Sequence, residues 1–195
     1  MDGITAQAMT PGLHELLAGS LIDRISMSDR QTLTLSLFTA LRYKYSLTLS
    51  ANPSRPGLEL DAGPAPRGLN PPPSFAMYLR KHLRRAKIRS ISSPPYERLF
   101  TFHLLTLDEL GDEVELDLVF ECMPRTANLI LLNRDGVIMG ALRHIDHRVN
   151  RVREILPAHP YVPPPAQSGL PPDLLAGGLP PDFRDSLLPG PPRSR

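Results

Sequence analysis

Residues 98–142 read RLFTFHLLTLDELGDEVELDLVFECMPRTANLILLNRDGVIMGAL, and this stretch decides the fold class. Four runs in it, 98–107, 113–120, 128–133 and 137–142, are rich in Leu, Ile, Val, Phe and Thr and too short for helices. The breaks between them are turn chemistry. Asp108-Glu109-Leu110-Gly111-Asp112 joins two strands, and Asn133-Arg134-Asp135-Gly136 is a hairpin signal, because Asn, Asp and Gly tolerate the backbone angles that tight turns need. Strands joined this closely run antiparallel. Working outward, 87–92 predicts another strand, and 74–86 predicts a helix with Ser74 as its cap and Phe75, Leu79, Leu83 and Ala86 along one apolar stripe. Residues 32–37 and 45–50 alternate apolar with hydroxyl side chains and predict two further strands. A first helix is expected over 13–21, opened by Thr10-Pro11. The expected class is α+β, an antiparallel meander with a few helices.

The proline distribution sets the boundary. Twelve of the 23 prolines lie from Pro157 onward, among glycine-rich spacers that include the near-repeats GLPPD at 169–173 and 178–182. Such composition is poorly suited to a packed core, so a domain over 1–165 and a Pro/Gly-rich linker or tail over 166–195 are expected. The single cysteine, Cys122, sits beside the apolar run Leu118-Val119-Phe120 and predicts a buried thiol rather than a disulfide or metal ligand. No stretch approaches the ~20 apolar residues that span a bilayer, and the first residues carry no signal-peptide pattern, so a cytoplasmic location is expected.

Charge is informative through its distribution, since the net value is only +2. Residues 80–89 hold Arg80, Lys81, Arg84, Arg85, Lys87 and Arg89 without an acid, and His82 adds a further potential donor. Residues 143–153 hold Arg143, His144, His147, Arg148, Arg151 and Arg153 with one acid, Asp146. Read alone, each run is a solvated face. Together they point to phosphate, because 19 of the 22 basic side chains are arginines, whose planar fork grips phosphate with two hydrogen bonds and stacks on bases. On a continuous helix Arg80, Arg84 and Lys87 would share a face. Acids gather at Asp108, Glu109, Asp112, Glu113, Glu115, Asp117 and Glu121, and the alternation of Glu113, Glu115 and Asp117 predicts an exposed acidic strand face.

Catalytic patterns are thin. His144 and His147 have the only metal-like spacing, without a convincing third ligand, and neither a phosphate loop nor a serine-nucleophile motif occurs. No metal, no cofactor and no enzymatic role are expected.

The motifs in order resemble one family. Met77-Tyr78-Leu79-Arg80-Lys81-His82-Leu83 is similar to its M-x-L-R-K-H-L helix, DELGDEV at 108–114 to its hairpin, and ECMPRTANLI at 121–130 to its E-L-M-G-R-x-S-N-I-I stretch. RVREILP at 151–157, then Tyr161 and Pro163-Pro164-Pro165, resembles its R-x-R-x-I-L-P-G-x-x-Y-x-x-P-P ending, and Asp2-Gly3 and Ser50-Ala51-Asn52-Pro53 also fit. This is the amino-terminal domain of the NFACT family, also called the fibronectin-binding protein A family. The resemblance implies a fold like the amino-terminal domain of formamidopyrimidine-DNA glycosylases, an antiparallel β-sandwich flanked by helices. It implies partners too: tRNA, large-subunit rRNA and the large ribosomal subunit obstructed by peptidyl-tRNA, where a carboxy-terminal tail is added to the stalled chain. An Asp-Arg pair implicated in tRNA engagement maps onto Glu97-Arg98, with glutamate keeping the charge on a longer arm. Pro124 stands where the family has glycine. The expected RNA-binding set is Glu97, Arg98, Arg80, Lys81, Arg84, Arg85, Arg125, Arg148, Arg151 and Arg153. A surface adhesin binding fibronectin or fibrinogen is one alternative. A DNA glycosylase-like enzyme is another, and it lacks the amino-terminal proline nucleophile, since the chain opens Met1-Asp2-Gly3.

Overall fold

The structure, a computed structural model, describes residues 3–149 and 153–165. Its elements in chain order are α1 (Gly3–Leu17), β1 (Leu21–Met27), β2 (Thr32–Phe38), β3 (Lys44–Ser50), β4 (Gly57–Ala62), α2 (Ser74–Leu83), β5 (Lys87–Ser92), β6 (Leu99–Leu107), β7 (Glu113–Glu121), β8 (Asn128–Asn133) and β9 (Ile138–Ala141). All nine strands belong to one antiparallel sheet of order β4-β3-β2-β1-β5-β6-β7-β8-β9. The class is α+β as expected. The ladder is continuous rather than divided into two sheets.

The sheet bends where β1 meets β5. These strands pair at Leu21↔Lys87 and then run apart, so the four-stranded and five-stranded halves diverge from a short junction. Their inner faces share one core. Leu33, Leu35, Leu37, Leu47 and Leu49 from the first half belong to the same buried cluster as Phe100, Phe102, Leu116, Leu118, Leu129 and Leu131 from the second. Cys122 is buried in that cluster, as its neighbours in the sequence predict. The opposite face of the second half carries Val119, Ile130, Leu132 and Ile138, and the returning chain covers it with Ile155 and Tyr161.

Both helices depart from their expected bounds. α1 starts seven residues before Thr10 and keeps Pro11 inside it, because Ala6 and Met9 extend the apolar stripe of Leu13 and Leu17 into the core. Burial outweighs the proline, and Thr10 Oγ1 donates to Ala6 O at 2.8 Å beside it. At its other end the helix stops at Leu17, Gly19 takes φ +84°, and the chain enters β1 at Leu21. α2 stops at Leu83. Arg84 is extended, Arg85 has φ +66°, and Lys87 already belongs to β5, so Arg80, Arg84 and Lys87 do not share a helix face. Ser74 is the first helical residue and Pro73 occupies the cap position, without a side-chain cap bond.

Two strands escape the sequence pattern for opposite reasons. In β1 a bulge between Ile22 and Arg24 breaks the period of two, so Ile22, Ile25 and Met27 are all buried. β4 is an edge strand lying between proline-rich segments.

Candidate nucleic-acid interface

The divergence of β1 from β5 leaves carbonyls on the far side of β1 to be satisfied by other means. Leu69 N donates to Met27 O at 2.8 Å, and Arg80 Nε reaches across from α2 to Ile25 O at 2.9 Å. Arg80 is therefore half-buried and partly committed to holding α2 against β1. Tyr78 fastens the other side of the helix. Its hydroxyl donates to Met139 O at 2.9 Å, and its ring lies so close to Gly140 that a Cβ there would sit 2.7 Å from Cε1.

Seating α2 in this way opens a groove between it and β1. Arg24, Arg80, Lys81 and Arg84 line it with Met77, and Asp23 is the acid in the lining. An adjoining groove shares Asp23 and is lined by Lys44, Arg85, Leu21 and Phe38. Arg24, Lys81, Arg84, Arg85 and Lys44 are all exposed, and among the described residues neither Arg84 nor Arg85 forms an ion pair. Lys81 lies 3.6 Å from Glu109 on a pair open to solvent, a contact worth little. Sequence spacing alone could not join Arg24 and Lys44 to this strip, because they arrive from other strands. His82 does not add a cation to it. Burial, and then the neighbouring Lys81 charge, push its pKa below the usual imidazole value, and its ring packs 4.7 Å from that of Tyr78.

A second group forms at the opposite end of β5. Leu99 pairs with Glu121, so the β5–β6 and β7–β8 loops leave the sheet side by side. The first carries Tyr96, Glu97 and Arg98, and the second carries Arg125. Arg98 O accepts Cys122 N at 2.8 Å, which ties the loops together, and Arg125 N donates to Pro53 O at 3.0 Å on the β3–β4 connection. Burial raises the Cys122 thiol to about 11, and the nearby Arg98 charge acts in the other direction. Glu97 and Arg98 are half-buried, and Arg125 is exposed with φ +68°. Pro124 sets the turn in which Arg125 takes that conformation, at a place where glycine would carry no strain.

In the 143–153 window, Arg143 and Arg153 are held by groups inside the fold. Arg143 Nη2 donates to Ala51 O at 2.9 Å, while Asn128 holds its backbone from both sides, so this arginine links the two halves of the sheet. Arg153 is buried against the fully buried Glu121, with Nη1 3.1 Å from Oε2 and a second bond from Nη2 to Oε1. Tyr161 completes the group, its hydroxyl donating to Glu121 Oε1 at 2.8 Å and its ring lying 5.3 Å from the guanidinium. Desolvation, reinforced by the Glu121 charge, raises the Tyr161 pKa and keeps that hydroxyl protonated as a donor. Arg153 is therefore withdrawn from the RNA-binding set: a buried carboxylate demands its charge. Arg148 is exposed in a turn that Asp146 caps through Arg148 N at 3.0 Å and Val149 N at 3.1 Å. Arg151 lies outside the described residues.

The acidic strand face is exposed at Glu113 and Glu115, as its alternation predicts, and two of its acids are paired. Arg89 pairs with Glu115, and His103 Nδ1 lies 2.7 Å from Asp117 with Ser92 Oγ 2.9 Å from Nε2. Asp117 meets its base on the neighbouring strand β6, and Glu115 reaches Arg89 on β5 beyond it. His147, from the metal-like pair, faces Glu154 at 3.5 Å, with His159 on the same carboxylate at 3.8 Å, and no group able to hold a metal occurs among the described residues. Nor is any described helix long and apolar enough to cross a membrane.

Residues 2–186 match the family model described as NFACT N-terminal and middle domains. The chain belongs to the NFACT family. This NFACT chain is 33% identical to the Rqc2 homolog RqcH of Bacillus subtilis over 172 residues, which cover 88% of the chain and 30% of the relative. It is 31% identical to the Rqc2 homolog RqcH of Streptococcus suis, over 88% of the chain and 31% of that protein. It thus spans about a third of the length of these relatives. Its fold superimposes on the N-terminal domain of the fibronectin-binding protein PavA from Streptococcus pneumoniae with a TM-score of 0.79 and 27% identity, covering 85% of this chain and 62% of the other. The N-terminal part of the fibronectin/fibrinogen-binding protein of Streptococcus suis gives 0.77 and 30%, covering 87% and 63%. The family match runs beyond 165, the boundary expected from composition, into residues outside those described.

Proposed function

We propose that this NFACT domain is a non-catalytic RNA-binding module of a ribosome quality control factor, engaging tRNA and the obstructed large ribosomal subunit in the cytoplasm. The observation that carries the reading is the arginine-rich groove between α2 and β1, where Arg24, Arg80, Lys81 and Arg84 converge beside Arg85 and Lys44. Converging guanidinium and ammonium groups neutralise successive phosphates, and the counterions released supply most of the affinity. The groove takes backbone phosphates. Glu97 and Arg98, with Arg125 beside them, contact the tRNA itself, the arginine clamping a phosphate or base edge and the carboxylate accepting from a base amine. Support for tRNA and the ribosome as partners comes from similarity to proteins named as Rqc2 homologs. Tail addition to stalled chains would belong to the whole protein, of which this domain is one part.

The names of the similar solved structures favour a second reading, a surface adhesin for fibronectin. The two separate in one titration. Labelled tRNA and labelled fibronectin are each followed by fluorescence anisotropy across a salt series. Salt-steep binding of tRNA, weakened by Arg84→Ala with Arg85→Ala, is the expected result. Binding of fibronectin but not tRNA would overturn the RNA reading in favour of the adhesin.

A further inference from the structure

Two turns at one end of the sheet share an unusual construction. In each, a proline is followed by a large residue in the left-handed region: Pro95 by Tyr96 at φ +61°, and Pro124 by Arg125 at φ +68°. That is the arrangement of a type II turn, whose third position favours glycine. A bulky residue there is strained and persists only when its surroundings impose it. For Tyr96 the surroundings are visible. Glu97 N closes the turn onto Pro94 O at 3.2 Å, and Gln7 Oε1 on α1 accepts Tyr96 N at 3.2 Å. Gly3 packs so tightly on the Tyr96 carbonyl that a Cβ at position 3 would lie 1.8 Å from that oxygen.

The backbone of Tyr96 is thus held from several sides while the residue remains 40% exposed. The contacts that hold this turn run through the Tyr96 backbone, and glycine would serve that backbone better. Its immediate neighbours are Glu97 and Arg98, and Arg125 leaves the sheet on the adjacent loop.

We propose that Tyr96 is a base-stacking platform for an unpaired base of a single-stranded RNA loop, with Arg98 on the same loop and Arg125 on the adjacent one to hold the flanking phosphates. This rests on the RNA-binding reading above and adds the residue that would grip a base rather than the backbone. Unstacked bases are the features of RNA that proteins take onto aromatic rings, and one such contact is worth about 1–3 kcal/mol, or roughly 5- to 150-fold in affinity.

The test is anisotropy of labelled tRNA with the wild-type chain and with Tyr96→Phe, Tyr96→Gly, Tyr96→Asn and Arg98→Ala, each across a salt series. Glycine and asparagine both accept positive φ, so neither variant should melt below the wild type. Tyr96→Phe should bind within about twofold of the wild type, while Tyr96→Gly and Tyr96→Asn should lose about fivefold or more. The slope of log affinity against log salt should not change in these variants, since a tyrosine ring neutralises no phosphate, whereas Arg98→Ala should flatten it. Undiminished affinity of Tyr96→Gly with a binding wild type would overturn the stacking role and leave the RNA reading standing. A flattened salt slope in Tyr96→Gly would overturn it too, assigning the loss to displaced arginines. Absence of tRNA binding by the wild type would sink the RNA reading, and the stacking role with it.

Discussion

The two arginine-rich windows, 80–89 and 143–153, look alike as sequence, yet Arg84 and Arg85 of the first are used differently from Arg143 and Arg153 of the second. In the first, α2 ends at Leu83 and the chain reverses through Arg84 and Arg85, which project into solvent beside Arg24 and Lys44. In the second, Arg143 links the sheet halves through Ala51 O, and Arg153 neutralises the buried Glu121. The difference is one of available partners. A guanidinium near a buried carboxylate or an unpaired carbonyl is consumed by it, because leaving either group unsatisfied costs more than giving up a surface cation. Basic density in a chain therefore marks a phosphate surface only where the fold supplies no internal acceptor.

The largest expected effect breaks the second window. Arg153→Ala strands Glu121 in the interior and should cost about 3–5 kcal/mol in urea unfolding. Pairing Arg153→Met with Glu121→Leu should recover much of that loss, since the buried charge is gone. A loss below 1 kcal/mol for Arg153→Ala would mean that the pair is solvated and the contrast false.

Arg84→Ala with Arg85→Ala should do the reverse. Stability should stay within about 0.5 kcal/mol, as for other surface changes. The slope of log tRNA affinity against log salt should drop by about 1–2, one phosphate contact for each arginine. An unchanged slope would remove these arginines from the interface.

Arg80 sharpens the comparison because it belongs to both categories. Arg80→Ala removes the bond from Nε to Ile25 O and should cost about 1 kcal/mol of stability as well as tRNA affinity. Stability loss without affinity loss would make it a latch alone.

The smallest effect concerns the acid-bearing strand. The hydrogen bond to Asp117 raises the His103 pKa above its ordinary value, against an opposing contribution from burial. Its stabilisation should be complete below about pH 6.5 and lost as pH rises through the raised value. The site is partly exposed, so the contribution should be under 1 kcal/mol. An NMR titration of the His103 ring in the wild type and in Asp117→Asn checks it; equal midpoints would exclude Asp117 as the cause.

Much of the second half of the sheet is legible in the chain. Residues 98–142 hold short apolar runs, and two of the turns between them carry Asn, Asp or Gly, so β6 to β9 fall within a residue or so of expectation. Those features are local, and local chemistry decides them. β1 was hidden by its bulge, and the amino-terminal part of α1 by Pro11, whose cost is met by burying Ala6 and Met9. The groove was legible in part. Arg80, Lys81 and Arg84 are adjacent in sequence and adjacent in the groove, whereas Arg24 and Lys44 reach it from β1 and β3. Tyr96 gave no signal, because a left-handed tyrosine is imposed by Gln7 and Gly3, some 90 residues away in the chain.

By itself, then, the sequence determined the α+β class, the strand periods, the turns and the family motifs, all of which depend on residues within a few positions of one another. Tertiary structure alone decided that the ladder is continuous, where α2 ends, and which arginines are open to solvent. Those outcomes depend on who meets whom across the fold. A charge's role is set by the nearest unsatisfied group in space, and chain spacing carries no record of it.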